Sequence, residues 1–120
     1  MTILLRLLVN CFDVADTIDN LATFITKMSE LCEAHINLVP ELGTHFVINK
    51  LCNILSSDNI ELRTLSVKCL TVMLTFDNAA ITNFALEAGI LHHLTSILDS
   101  ASTQMIANIL FSLSNITAGT

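Results

Sequence analysis

Apolar residues recur along the chain at steps of three and four, the spacing that gathers side chains on one face of an α-helix. Leu21, Phe24, Ile25, Met28, Leu31 and Cys32 form one stripe, and Leu62, Leu65, Cys69, Leu70 and Met73 a second. Ile106, Ile109, Leu110, Leu113 and Ile116 form a third. Shorter apolar runs predict helices over residues 3–10, 46–55 and 90–98. Breaks are expected at Pro40 and Gly43, at Ser56-Ser57-Asp58-Asn59, at Asp77-Asn78, at Gly89 and at Asp99-Ser100, where these residue types favour caps and turns. The pattern predicts an all-α chain with short connections.

The pattern also repeats. Lys50-Leu51-Cys52-Asn53-Ile54-Leu55-Ser56 matches His93-Leu94-Thr95-Ser96-Ile97-Leu98-Asp99 with a period of 43 residues, and Glu41-Leu42-Gly43 and Glu87-Ala88-Gly89 precede the two copies. Each unit reads as a helix ending at a glycine, a second apolar helix, a turn and a longer amphipathic helix. Such a unit cannot bury its apolar faces alone and must stack on neighbours, which is the logic of an alpha-solenoid. Composition agrees: 52% of the 120 residues are hydrophobic and 13% charged, against roughly 25% charged in an ordinary soluble domain. So short and apolar a chain leaves much of that surface to be covered by something else.

Charge and cysteine usage narrow the class. The formal net charge of −6 argues against nucleic acid or an anionic membrane surface as partner, since both select basic faces. Cys11, Cys32, Cys52 and Cys69 lie 21, 20 and 17 residues apart, too far for a zinc knuckle or a redox dithiol motif, and read as reduced core residues. Arg6 interrupts the apolar start, no basic residue precedes it and no small-residue cleavage site follows, so a secretion signal is not expected. The charge-free stretch 100–120 is broken throughout by Ser, Thr, Gln and Asn, a poor membrane span.

The polar stripes are the candidate functional surface. Asp16, Asp19, Thr23, Thr26, Glu30 and Glu33 line one face opposite Phe24 and Met28. Four carboxylates there make either a solvated face or a negative ladder for a basic peptide. Gln104, Asn108, Phe111 and Asn115 share the polar side of the last helix, where an Asn can bond an extended peptide's N–H and C=O and an aromatic can cover a Lys or Arg stem. Phe111 packing on a neighbouring helix is the competing reading.

Ala85-Leu86-Glu87-Ala88-Gly89-Ile90-Leu91, followed by Leu113-Ser114-Asn115-Ile116-Thr117-Ala118-Gly119, resembles an armadillo repeat of the importin-alpha family. The second run is the more specific, and the segment 21–55 is similar at low identity. The resemblance implies a right-handed alpha-solenoid of about two and a half armadillo repeats, over residues 1–35 (partial), 36–76 and 77–120, with further repeats outside this sequence. In that family the long third helix carries Trp-x-x-x-Asn, lining a concave groove for the localisation signal of a cargo protein. The resemblance puts Phe111 at the Trp and Asn115 at the Asn position, with Asn108 where the family places Glu. It puts Thr26 and Glu30 at the pair in the first long helix, beside Asp19 and Thr23. In the middle helix the pair is either Cys69 and Met73 or Lys68 and Val72; the polar stripe Thr64, Lys68, Thr71 and Thr75 favours Lys68, which would repel a basic peptide locally.

The implied function is a nuclear import adaptor, in cytoplasm and nucleus, binding basic localisation-signal peptides. Importin-beta is its second implied partner, through a segment absent from this chain. The alternative is a protein–protein interaction scaffold of the same fold with a decayed groove and a different partner. No enzyme activity and no cofactor are expected: His92-His93 and Cys32-x-x-His35 supply at most two ligands each, and three glycines make no phosphate loop.

Overall fold

The computed structural model describes residues 3–75 and 79–96, together with Ala107 and Leu110. Among these every regular element is helical: α1 (Ile3–Val14), α2 (Ile18–Ala34), a 3-10 turn (Ile36–Leu38), α3 (Val39–Leu42), α4 (His45–Ile54), α5 (Ile60–Thr75), α6 (Ala79–Glu87) and α7 (Ile90–Ser96). Of the last predicted helix only Ala107 and Leu110 are described, both helical and exposed; the rest of it, with Ile106, Ile109, Leu113 and Ile116, lies outside the described residues.

Short polar side chains set the boundaries. The Thr17 hydroxyl accepts from the N–H of Asn20 at 3.2 Å and starts α2, and the Thr44 hydroxyl accepts from that of Val47 at 3.3 Å and starts α4. Asn59 accepts from Leu62 N–H at 2.9 Å ahead of α5. Gly89 follows α6 with φ of +77°, a left-handed conformation that a glycine adopts freely. Pro40 does not break the chain as expected. It sits in the first turn of α3, where its missing N–H has no helical acceptor to lose, and α3 ends at Gly43, whose N–H reaches Val39 O at 2.8 Å.

The elements recur. The helix start at residue 3 returns at 45 and 90, that at 18 returns at 60, and the turn-plus-helix beginning at 36 returns as α6 at 79. Each step is 42 to 45 residues, in line with the period in the sequence. The core runs between these elements. The apolar stripe of α2 buries Ile25, Met28 and Cys32 completely, chiefly against α5. Helix α5 is covered by α2, α4 and α6, so Leu62, Val67, Cys69, Leu70, Met73 and Leu74 are all buried and its polar stripe is narrow. Ser66 is buried in the same helix, and its Oγ has no hydrogen-bond partner.

Two side chains tie α4 to α1 and α7 to the turn after α4. The Lys50 ammonium in α4 donates to the carbonyl oxygens of Phe12 (2.5 Å), Asp13 (2.8 Å) and Ala15 (2.7 Å) at the end of α1. It also lies 5.0 Å from the Phe12 ring centroid. In α7, His93 Nδ1 is 2.7 Å from Ser56 Oγ at the end of α4.

Candidate functional site

Helix α2 presents Asp19, Thr23, Thr26 and Glu30 along one side, at spacings of four, three and four. Asp19, Thr23 and Glu30 are exposed and Thr26 half-buried. Asp16 does not belong to this ladder as expected, because it precedes the Thr17 cap. Around the ladder lies an open, shallow depression of about 330 Å³ lined by Ala22, Thr23, Thr26, Lys27 and Glu30.

Three hydroxyl protons on these faces are committed to the main chain. Thr23 Oγ1 donates to Asp19 O at 2.8 Å, Thr64 Oγ1 to Ile60 O at 2.9 Å and Thr71 Oγ1 to Val67 O at 2.8 Å. Toward a ligand these threonines offer lone pairs, as do the carboxylates of Asp19, Glu30 and Glu33. Two lysines supply the balancing charge: Lys27 Nζ lies 3.5 Å from Glu30 Oε2, and Lys68 Nζ lies 3.7 Å from Glu33 Oε1.

The second ion pair joins α2 to α5 and fixes what the sequence left open. Lys68 is exposed and Val72 half-buried, whereas Cys69 and Met73 are fully buried, so the pair that shares the polar face is Lys68 and Val72. It follows Thr26 and Glu30 by 42 residues. Lys68, expected to repel a basic peptide locally, lies 3.7 Å from the Glu33 carboxylate, with both side chains about half exposed. Asn108, Phe111 and Asn115 lie outside the described residues.

The cysteine and histidine clusters do other work. Burial pushes the Cys32 thiol up to about 11, with Glu33 adding to the effect, and a thiol held neutral is a poor nucleophile. His35 closes α2, its N–H donating to Leu31 O. Among the described residues no three His, Cys, Asp or Glu side chains gather closely enough to hold a metal ion, and no helix is long and apolar enough to cross a membrane.

One surface escaped the sequence reading. Between α1 and α2 runs an apolar groove of about 370 Å³ lined by Leu4, Leu5, Leu7, Leu8, Cys11 and Leu31, with Lys27 at its edge. Its signal was present: leucines occur at positions 4, 5, 7 and 8, on more than one side of α1, and a single stripe can cover only part of them.

No family model, curated protein or solved structure matches the chain.

Proposed function

We propose that the chain is a stretch of an armadillo-type solenoid that binds an extended basic peptide across the polar faces of its long helices. The observation that carries this reading is the Glu33–Lys68 ion pair, which brings the polar faces of α2 and α5 side by side. Across them the chain offers threonine oxygens and carboxylates, a set of acceptors suited to Lys, Arg and main-chain N–H donors. Both ion pairs are about half exposed, so each is worth roughly 0–1 kcal/mol, and an incoming Lys or Arg displaces the internal lysine at little cost. The resemblance in the sequence extends this to a nuclear localisation signal as the peptide, and to import as the role.

The test is titration of a fluorescent Lys-rich localisation peptide, with Glu30→Gln and Asn115→Ala alongside. Binding that weakens with salt and with either substitution supports the reading. A folded chain that binds no basic peptide retires it. A scaffold with a different partner is the second reading, favoured by Lys27 and Lys68, which leave the joint face nearly neutral.

A further inference from the structure

A four-residue pattern recurs 42 positions apart where the long helices begin: Asp16-Thr17-Ile18-Asp19 at α2 and Asp58-Asn59-Ile60-Glu61 at α5. Thr17 and Asn59 serve as caps, each side chain accepting from the N–H three residues on. The four carboxylate residues are exposed, and so are the isoleucines, Ile18 to 51% and Ile60 to 62%. Neither isoleucine serves its helix, since β-branching lowers helix propensity and half or more of each residue stays in water. Packing between the long helices covers these positions from neither side. Ile18 stays open with α5 packed after α2, and Ile60 stays open with α2 packed before α5. The pair therefore belongs to a face that this packing leaves to solvent, as the polar stripes do.

Both isoleucines stand at the same end of that face. Lys50, one turn before the end of α4, donates to the carbonyls of Asp13 and Ala15 just ahead of α2, so α2 and the helix that follows α4 begin at one end of the molecule. The depression on α2 starts one turn beyond Ile18, at Ala22, and Thr64 of the α5 polar stripe stands one turn beyond Ile60. The isoleucines thus form an apolar rim on the face proposed for the peptide.

We propose that this rim takes a large apolar side chain of the same ligand, so that the peptide is one whose run of Lys and Arg contains an aliphatic or aromatic residue. The charge pattern commits the occupant. The two rim segments carry four carboxylates and no basic residue, so an apolar group docking there has to arrive on a basic segment; a neutral or acidic one would strand the carboxylates without water or partner. Ile18 and Ile60 cover the apolar side chain, and Asp19 and Glu61, beside them in the chain, receive the cations that flank it. This inference rests on the peptide-binding reading of the adjoining face, and it adds what the ligand must contain besides charge.

The experiment is fluorescence anisotropy of two Lys-rich peptides of equal charge, identical except for a leucine or a serine within the run. They are titrated with the full 120-residue chain, Ile18→Ser and Ile60→Ser. The expected result is that the parent chain binds the leucine peptide about tenfold more tightly than the serine peptide. Each variant loses most of that preference, while the serine peptide binds all three proteins alike, the signature of a direct contact in a double-mutant cycle. Equal binding of both peptides by the parent chain would overturn the inference and leave peptide binding standing; binding of neither would overturn both. A preference that survives whole in both variants would place the apolar contact elsewhere and overturn the inference as well. Circular dichroism accompanies each protein, and Ile60→Thr, which keeps the branch at Cβ, replaces a serine variant that loses helicity.

Discussion

Ser56 Oγ and His93 Nδ1 lie 2.7 Å apart, at positions 43 residues beyond Asp13 and Lys50, which are joined at 2.8 Å. The two contacts are equivalent under the 43-residue offset and made with different chemistry: a residue of α4 holds the end of α1, and a residue of α7 holds the turn after α4. In the earlier joint a cation meets the negative end of a helix, and all three ammonium protons find carbonyl acceptors.

Lys50 is therefore the more expensive residue to lose. Burial pulls its pKa below the ordinary lysine value while Asp13 and Asp16 pull the other way, and only the protonated amine can serve three acceptors at once. Lys50→Met keeps most of the stem over Phe12 but strands the carbonyls, and it is expected to cost about 2 kcal/mol in urea unfolding. His93→Ala removes the hydrogen bond to Ser56 and is expected to cost about 1 kcal/mol. Equal losses from the two would show that the ammonium adds nothing beyond a single contact.

Gly43 tests the packing between α3 and α6. A Cβ placed there would stand 2.8 Å from Ile81 Cδ1 and 3.0 Å from the main-chain oxygen of Val39. The side chain can move, but the carbonyl is held by the closing turn of α3, so Gly43→Ala is expected to destabilise by about 1–3 kcal/mol. Ile81→Val withdraws the nearer atom. The double variant should recover part of the loss, a coupling that a thermodynamic cycle reads directly. Strict additivity would mean that the strain lies in the turn alone.

The buried thiols predict an alkaline limit. Burial pushes Cys32 up to about 11 and Cys52 and Cys69 up to about 12, from an ordinary value of 9.0. Above pH 9 the unfolded chain releases these protons while the folded chain keeps them, so stability falls as pH rises. Each thiol contributes a slope of about 1.4 kcal/mol per pH unit in that window. Denaturant midpoints between pH 8 and 11 should fall accordingly, and Cys52→Val should remove about a third of the slope. In the native state a thiol reagent should label exposed Cys11 alone. Rapid labelling of all four would place the core thiols within reach of solvent.

The helices were legible because their signal is local. The stripe through Ile25, Met28 and Cys32 is buried as its spacing requires, and the breaks expected at Gly43 and Gly89 stand at the ends of α3 and α6. What the sequence could not show depends on neighbours. The resemblance left Cys69 with Met73 and Lys68 with Val72 as rival groove pairs, and the polar stripe that favoured Lys68 is narrow because α5 is covered by three other helices; a helix buried on several sides has no single apolar stripe. The Glu33–Lys68 pair spans 35 positions, and the cradle for Lys50 is made of main-chain oxygens, which carry no residue signature. The acidic ladder was legible as a row of residues, but its neutralisation by Lys27 and Lys68 was not.

That neutralisation yields the sharpest prediction for the proposed peptide face. If a basic peptide binds there, its cations compete with Lys27 and Lys68 for Glu30 and Glu33. Lys68→Gln keeps a side chain of similar length and frees Glu33, so affinity for a Lys-rich peptide should rise, by up to about fivefold for an exposed pair worth at most about 1 kcal/mol. Glu30→Gln should lower it by a similar factor. Both effects should shrink as salt approaches the range where exposed charges a Debye length of about 10 Å apart cease to interact. The measurement is fluorescence anisotropy at two ionic strengths with all three proteins. Weaker binding by Lys68→Gln would mean that the lysine itself contacts the ligand, and the ladder would then suit an acidic or mixed-charge partner rather than a basic one.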